Sequence, residues 1–280
     1  MKCRIKELLT GSGADACGIV KARIFDEFAP ALSEGKYPFC DKIGITPFDV
    51  MEDAESVIVF AVSYHSKRSG NVSSYAFGMD YHKVLPEIAK PAIDYLKENG
   101  FSAEFFTDNG SLPERHLAQL AGLGFVGKNH CLIHPKLGSF TFIGYILTNC
   151  PIDADAPLEM SCMDCGKCID ACPSGALKSR DFSKCLSYIT QKKGELTESE
   201  AELIKSGGSI WGCDICQRVC PHNADAPEAV RQEFRIDLMP NVEIDRDITN
   251  REFREKYGEK AFSWRGKNVI LRNQKLVKGR

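Results

Sequence analysis

Before Pro151 the hydrophobic positions of the chain follow two alternating periods, and after it they follow neither. An amphipathic start carries Ile5, Leu8 and Leu9 on one face. The run from Ser56 to Tyr64 is almost wholly apolar and predicts a buried central strand. From Val84 to Asn99 apolar residues recur at helical spacing, with Leu85, Ile88, Ala89, Ala92, Ile93 and Leu96 on one face and Gly100 as the stop. Pro91 inside that stretch predicts a kink. Phe101–Thr107 and Ser139–Thr148 have the aromatic and β-branched enrichment of strands. The pattern predicts an α+β fold in three parts: a domain over 1–150, a domain of short helices and loops over 151–230, and a C-terminal extension over 231–280 that ends in a basic tail.

The cysteines say what the second part is for. Cys162, Cys165, Cys168 and Cys172 stand as C-x2-C-x2-C-x3-C, with Pro173 after them. This is the spacing by which bacterial ferredoxins hold cubane iron–sulfur clusters, and in two-cluster ferredoxins the fourth cysteine ligates the other cluster. A second group is therefore required downstream, and Cys213, Cys216 and Cys220, followed by Pro221, supply it one ligand short. Cys185, alone between the groups, is the substitute. The swapped rule assigns Cys162, Cys165, Cys168 and Cys220 to one [4Fe-4S] cluster, and Cys172, Cys185, Cys213 and Cys216 to the other. Structural zinc sites also use C-x2-C pairs, but zinc does not explain two Cys-Pro endings after x3 spacings. Cys3, Cys17, Cys40, Cys131 and Cys150 are left over and read as small buried hydrophobes.

Composition narrows the classes. With 43% hydrophobic and 26% charged residues over 280 positions, the chain has an ordinary globular mix, and a net charge of −2 argues against binding nucleic acid by bulk electrostatics. The N-terminus is too short and polar for a signal segment, and no apolar run reaches the roughly 18 residues of a membrane span. A cytoplasmic protein without a membrane partner follows, and its reduced thiols make disulfides unfavourable.

Between Asp108 and Asn129 a strand ends in an acid, Pro113 stands near a helix start, and a glycine-rich turn follows. That order predicts Asp108 at the carboxyl edge of a strand, where α/β ligand sites form. A capping or turn aspartate is the plainer reading. Gly122, Gly124 and Gly127 resemble a phosphate loop weakly: Asn129 follows Lys128, so G-x-x-x-x-G-K-[ST] is not spelled, and tight turns explain these glycines as well.

Taken together, these segments resemble the epoxyqueuosine reductases, cobalamin- and iron–sulfur-dependent enzymes of tRNA modification related to reductive dehalogenases. The resemblance rests on Asp80-Tyr81-His82-Lys83, Asp108 with Glu114-Arg115, Ala121 to Asn129, Leu137-Gly138-Ser139, Leu147-Thr148, both cysteine groups, Cys185 to Tyr188, and Glu252-Phe253-Arg254. It implies an N-terminal cobalamin-binding α/β-type domain followed by a ferredoxin-like double [4Fe-4S] domain, with the cobalamin bound base-off. It implies reduction of epoxyqueuosine to queuosine in tRNA, with Asp108 as the proton donor. Asp80, Tyr81, His82, Lys83, Gly127, Lys128, Ser187 and Asp214 fall where the family approaches the cofactor. Asp108 would need a raised pKa for its role, which burial beside an apolar corrin supplies. An external low-potential donor must feed the clusters. The D-x-H-x-x-G signature of histidine-ligated cobalamin is absent, which suits a cobalt without a protein imidazole.

The sequence departs from the family at three points. It reaches Arg280 without the HEAT-like repeats with which longer members grip tRNA, Tyr145 stands where an acid is usual, and His222 where tryptophan is usual. tRNA binding is predicted to be weak, helped by Arg265, Lys267, Arg272, Lys275, Lys278 and Arg280 as phosphate contacts, although a solvated terminal helix is the commoner use of such a run. Two other classes remain open on the sequence: a related cobalamin and iron–sulfur reductase of a small molecule, and a simple electron-transfer protein.

Overall fold

The chain enters on the predicted amphipathic helix, α1 (Lys2–Gly11), which buries Ile5 and Leu9. The computed structural model describes residues 1–29, 44–108 and 110–279, so Cys40 and Arg280 lie outside the described residues. Next comes β1 (Ala16–Lys21), unforeseen because its Cys17 and Gly18 dilute the apolar signal. The run at Ser56 becomes β2 (Ser56–Ser63), buried at every position. The helix at Val84 begins earlier, as α2 (Tyr81–Glu98), because the Asp80 side chain accepts from the His82 backbone N–H and caps it. It continues through Pro86 and Pro91 to Asn99, and Gly100 follows at φ +85° as predicted. Then come β3 (Ala103–Phe106), α3 (Glu114–Leu120), the short pair β4 (Phe125–Val126) and β5 (Leu132–Ile133), and β6 (Thr141–Thr148).

The main sheet has the order β1-β2-β6-β3, and every pairing is antiparallel. Alternate residues of β2 face opposite layers. Ile58, Phe60 and Val62 pack with α1 and α2, while Val57, Val59 and Ala61 pack with α3 through Leu117 and Ala118. Cover on both faces explains the unbroken apolar run. Asp108 does follow the end of β3, but with no parallel strands the carboxyl-edge rule of α/β sheets does not apply: the α+β expectation holds and the switch-point argument does not.

After β6 the elements shorten to α4 (Lys167–Asp170), α5 (Ala176–Ser179), α6 (Leu186–Gln191), α7 (Glu198–Gly207) and α8 (Ile215–Arg218). The chain closes with α9 (Asn250–Tyr257) and α10 (Lys267–Lys278). Helices α7 and α9 start on capping boxes, Thr197 with Glu200 and Thr249 with Glu252. The C-terminal extension is built into the body. Phe253, Tyr257, Phe262 and Ile270 share a core with Val72, Phe77 and Trp211, and Val72 bridges to Trp211. Among the described residues no helix is long and apolar enough to cross a membrane.

Candidate functional site

Asp108 sits just past β3 with φ 60°, a left-handed conformation that aspartate tolerates better than most residues. Two neighbours from the start of α2 meet its carboxylate. The Tyr81 hydroxyl donates to Oδ2 at 2.9 Å, and His82 Nε2 lies 3.6 Å from the same oxygen. His82 Nδ1 is 2.9 Å from Asp80, so both imidazole nitrogens are engaged and hydrogen bonds to Asp108 and Asp80 push its pKa up to about 9. For Asp108, burial pushes upward, but hydrogen bonds from His82 and Tyr81 and the charges of His82 and Arg115 outweigh it, and the pKa falls below the ordinary value. The expectation of a raised Asp108 pKa is thereby corrected for the protein alone: pairing outweighs burial, and the side chain keeps 58% of its surface exposed.

The acid whose pKa is raised is Glu114, at the first position of α3. Burial, then the charge of Asp108, lifts it to about 8. Its Oε1 is buried without a hydrogen-bond partner among the described residues, as are Ser111 Oγ and the Tyr145 hydroxyl. Gly110 lets this group close up, since a Cβ there would lie within 2.3 Å of the Tyr145 hydroxyl.

The cysteines gather in two places. Cys162, Cys165, Cys168 and Cys220 line one pocket, with Lys128 and His222 beside them. In the other place Cys185 and Cys213 are charge neighbours of each other and of both Cys172 and Cys216, with Cys131 beside Cys216, and burial and then Cys185 push Cys213 up to about 12. Backbone N–H groups of Ser187 and Tyr188 point at Cys185, that of Ile215 at Cys213, that of Ile169 at Cys168 and that of His222 at Cys220. Clustered, mostly half-buried sulfurs, with those of Cys168, Cys185, Cys213 and Cys220 facing backbone donors, suit thiolates that share negative charge with iron, so the residues present fit two cubanes.

One seam joins the cysteines to Asp108. Asp214, 6% exposed between Cys213 and Cys216, accepts from the hydroxyls of Ser73 and Ser74, from the Ser74 backbone N–H at 2.8 Å, and from Arg218 at 3.3 Å. Tyr75 follows and meets Tyr81 edge-on at 6.5 Å, and Tyr81 holds Asp108.

The other expected cofactor contacts are distributed unevenly. Ser187 lies at the start of α6 against Cys185, and Lys83 pairs with Glu259 at 2.6 Å. Lys128 pairs with Asp164 at 3.1 Å, beside the first cysteine pocket and not beside Asp108. A Cβ on Gly127 would meet Ile133 at 2.6 Å, so close packing explains that glycine.

Sequence reasoning passed over Ser73, Ser74 and Arg218, whose only signal was polarity, and named Glu114 only as part of a motif. Among the spare cysteines, Cys3 is exposed, not buried, and Cys131 pairs with Cys216. The basic tail is largely engaged within the molecule: Arg265 stacks 3.8 Å over Trp264, Lys267 donates to the Ile248 carbonyl, Arg272 to the Gly194 carbonyl, and Lys278 pairs with Glu243.

A family model described as a 4Fe-4S double cluster binding domain matches residues 161–223, and one described as Epoxyqueuosine reductase QueG, DUF1730, matches residues 45–109. The chain is 36% identical to an epoxyqueuosine reductase of Lactococcus garvieae, over 98% of this chain and 85% of that one. It is 32% identical to an epoxyqueuosine reductase of Leadbetterella byssophila, over 98% of this chain and 97% of that one. It also superposes on a crystal structure of epoxyqueuosine reductase with an epoxyqueuosine-modified tRNA-Tyr stem loop, with TM-score 0.86 and 31% identity, over 99% of this chain and 80% of that chain.

Proposed function

The chain belongs to the epoxyqueuosine reductase family, and we propose on that premise how its own residues divide the reaction. It reduces epoxyqueuosine to queuosine in tRNA, and it has a double-cluster iron–sulfur domain. In our reading Cys162, Cys165, Cys168 and Cys220 hold one [4Fe-4S] cluster and Cys172, Cys185, Cys213 and Cys216 the other, over a region running from 151 to 230. The observation that carries this is the gathering of the first four around one pocket, with Cys220 and not Cys172 as the fourth. The clusters supply electrons singly, and a low-potential donor in the cytoplasm replenishes them.

Residues 1–150 form the part that takes cobalamin and the modified base. The fit rests on Asp108, open to solvent beside the aromatic faces of Tyr81 and Tyr75, and on His82, whose two ring nitrogens face Asp80 and Asp108 and so are engaged away from a metal. Bound cobalamin supplies a strongly reducing, nucleophilic centre. The protein's own contribution is position and protons. Asp108, steered by Tyr81 and His82 and ionised in the protein alone, takes up a proton in the loaded site and relays it to the oxygen leaving the epoxide carbon, which lowers the barrier by a factor of about 10²–10⁴. Asp214 fixes the Ser73–Tyr75 segment against the second cluster, so the source of electrons and the source of protons meet at one seam. Phe253, Tyr257, Phe262 and Ile270 of the C-terminal extension pack with Val72, Tyr75 and Trp211 and so brace that seam.

Titrating cob(II)alamin into the anaerobic protein tests the cofactor assignment. A base-off EPR spectrum without axial nitrogen hyperfine structure is expected, and retained nitrogen splitting or no binding would overturn it.

A further inference from the structure

Removing an epoxide oxygen breaks two C–O bonds, forms one carbon–carbon double bond and releases water. The balance is two electrons and two protons for each epoxide. The reduced clusters and their low-potential donor supply the electrons, and both protons reach the oxygen through Asp108, which pairing keeps ionised at rest and which its neighbours and solvent must recharge. We propose that Glu114 holds one of these protons and passes it through Asp108, an inference that rests on the function proposed above.

Glu114 has the position for it. It opens α3 directly behind the Asp108 turn, and the Asp108 backbone N–H faces its carboxylate. Its Oε1 is buried without a hydrogen-bond partner among the described residues, and the Ser111 side chain and the Tyr145 hydroxyl lie against each other beside it. An ionised carboxylate in such surroundings is costly and a neutral acid is not. The charged and titratable groups that face it agree. Asp108 from the turn opposes its ionisation, Arg115 from α3 and His82 from α2 favour it less strongly, and Tyr145 from β6 carries no charge at neutral pH, so the proton is held until about pH 8. Asp108 itself is paired and ionised before the transfer, beside an acid that has its proton. Glu114 acts through Asp108 and not on the substrate.

Glu114→Gln tests this, because it keeps size and removes the proton. In the cofactor-free protein, difference infrared spectra of wild type and variant should show the carbonyl stretch of a protonated carboxylic acid at neutral pH in the wild type only, fading near pH 8. In the loaded enzyme the variant should retain iron, cobalamin and stem-loop binding, while turnover on the epoxyqueuosine stem loop drops roughly 10²-fold. The wild-type decline above about pH 8 should vanish in the variant. A wild type without the acid band, or a variant that turns over normally with the same pH profile, would overturn the proposal. Wild type that fails to convert the stem loop would count against the proposed function instead, and the infrared result would still decide where the proton resides.

Discussion

The antiparallel sheet and the cysteine region hold their reactive groups by opposite means. Around Asp108 the frame is apolar packing: β2 and β6 lie between two hydrophobic cores, and the paired charges of His82, Asp80 and Asp108 hang from that frame. From Asp153 to Cys185 only Cys168 and Ala176 are buried apolar residues, and the helices there are four residues long. A stretch with so little core is ordered by what its sulfurs bind, because ligand binding in such sites is folding free energy. On the proposed division of the reaction, the proton side rests on the apolar core of the sheet and the electron side on the clusters.

Cys185→Ser bears hardest on that contrast. Iron should fall from about eight to about four atoms per chain, since only one ligand set is broken. Limited proteolysis should then cut within the cysteine region while the sheet resists. Unchanged iron would show Cys185 to be a bystander, and equal cleavage of both regions would show that the sheet depends on the clusters.

A smaller effect is expected at the seam. Asp214→Ala removes the acceptor of the Ser73 and Ser74 hydroxyls and of the Ser74 backbone N–H, while Arg218 keeps the Arg68 carbonyl and Ser74 Oγ, and should cost about 1–3 kcal/mol as buried donors left unsatisfied. The cofactors should still bind, with electron transfer slowed. Denaturant midpoints that match wild type would mean that the seam is not a structural joint.

The mildest test uses pH. The folded protein binds the protons of Glu114 and His82 more tightly than the unfolded chain does, with values of about 8 and about 9 in place of 4.5 and 6.5. Their contribution to stability is full at low pH and is lost as pH rises through about 8 to 9. Thermal midpoints of the cofactor-free protein should fall between pH 6 and pH 9, less steeply in Glu114→Gln. A flat profile in both proteins would contradict these assignments.

Legibility differed between the regions for the same reason. Spacing along the chain was enough for the cysteines, because C-x2-C-x2-C-x3-C encodes cluster geometry locally. Strands β2 and β6 and helix α2 announced themselves through period and caps. Strand β1 did not, since Cys17 and Gly18 interrupt its pattern. The contacts that tune Asp108 join residues 26 and 27 positions apart in the sequence, and without the family resemblance nothing local links Tyr81 and His82 to it. Glu114 looked like an ordinary first-turn acid, and only the structure reveals its Oε1 as buried, near Tyr145.

The central claim is that one aspartate on the sheet side completes a reduction driven from the cluster side. The direct test is anaerobic conversion of an epoxyqueuosine-bearing tRNA stem loop, with nucleosides measured by mass spectrometry, for wild type and Asp108→Asn matched in iron and cobalamin content. Queuosine should accumulate with wild type and fall by about 10²–10⁴ in rate with the variant. Equal conversion by the two would contradict the account.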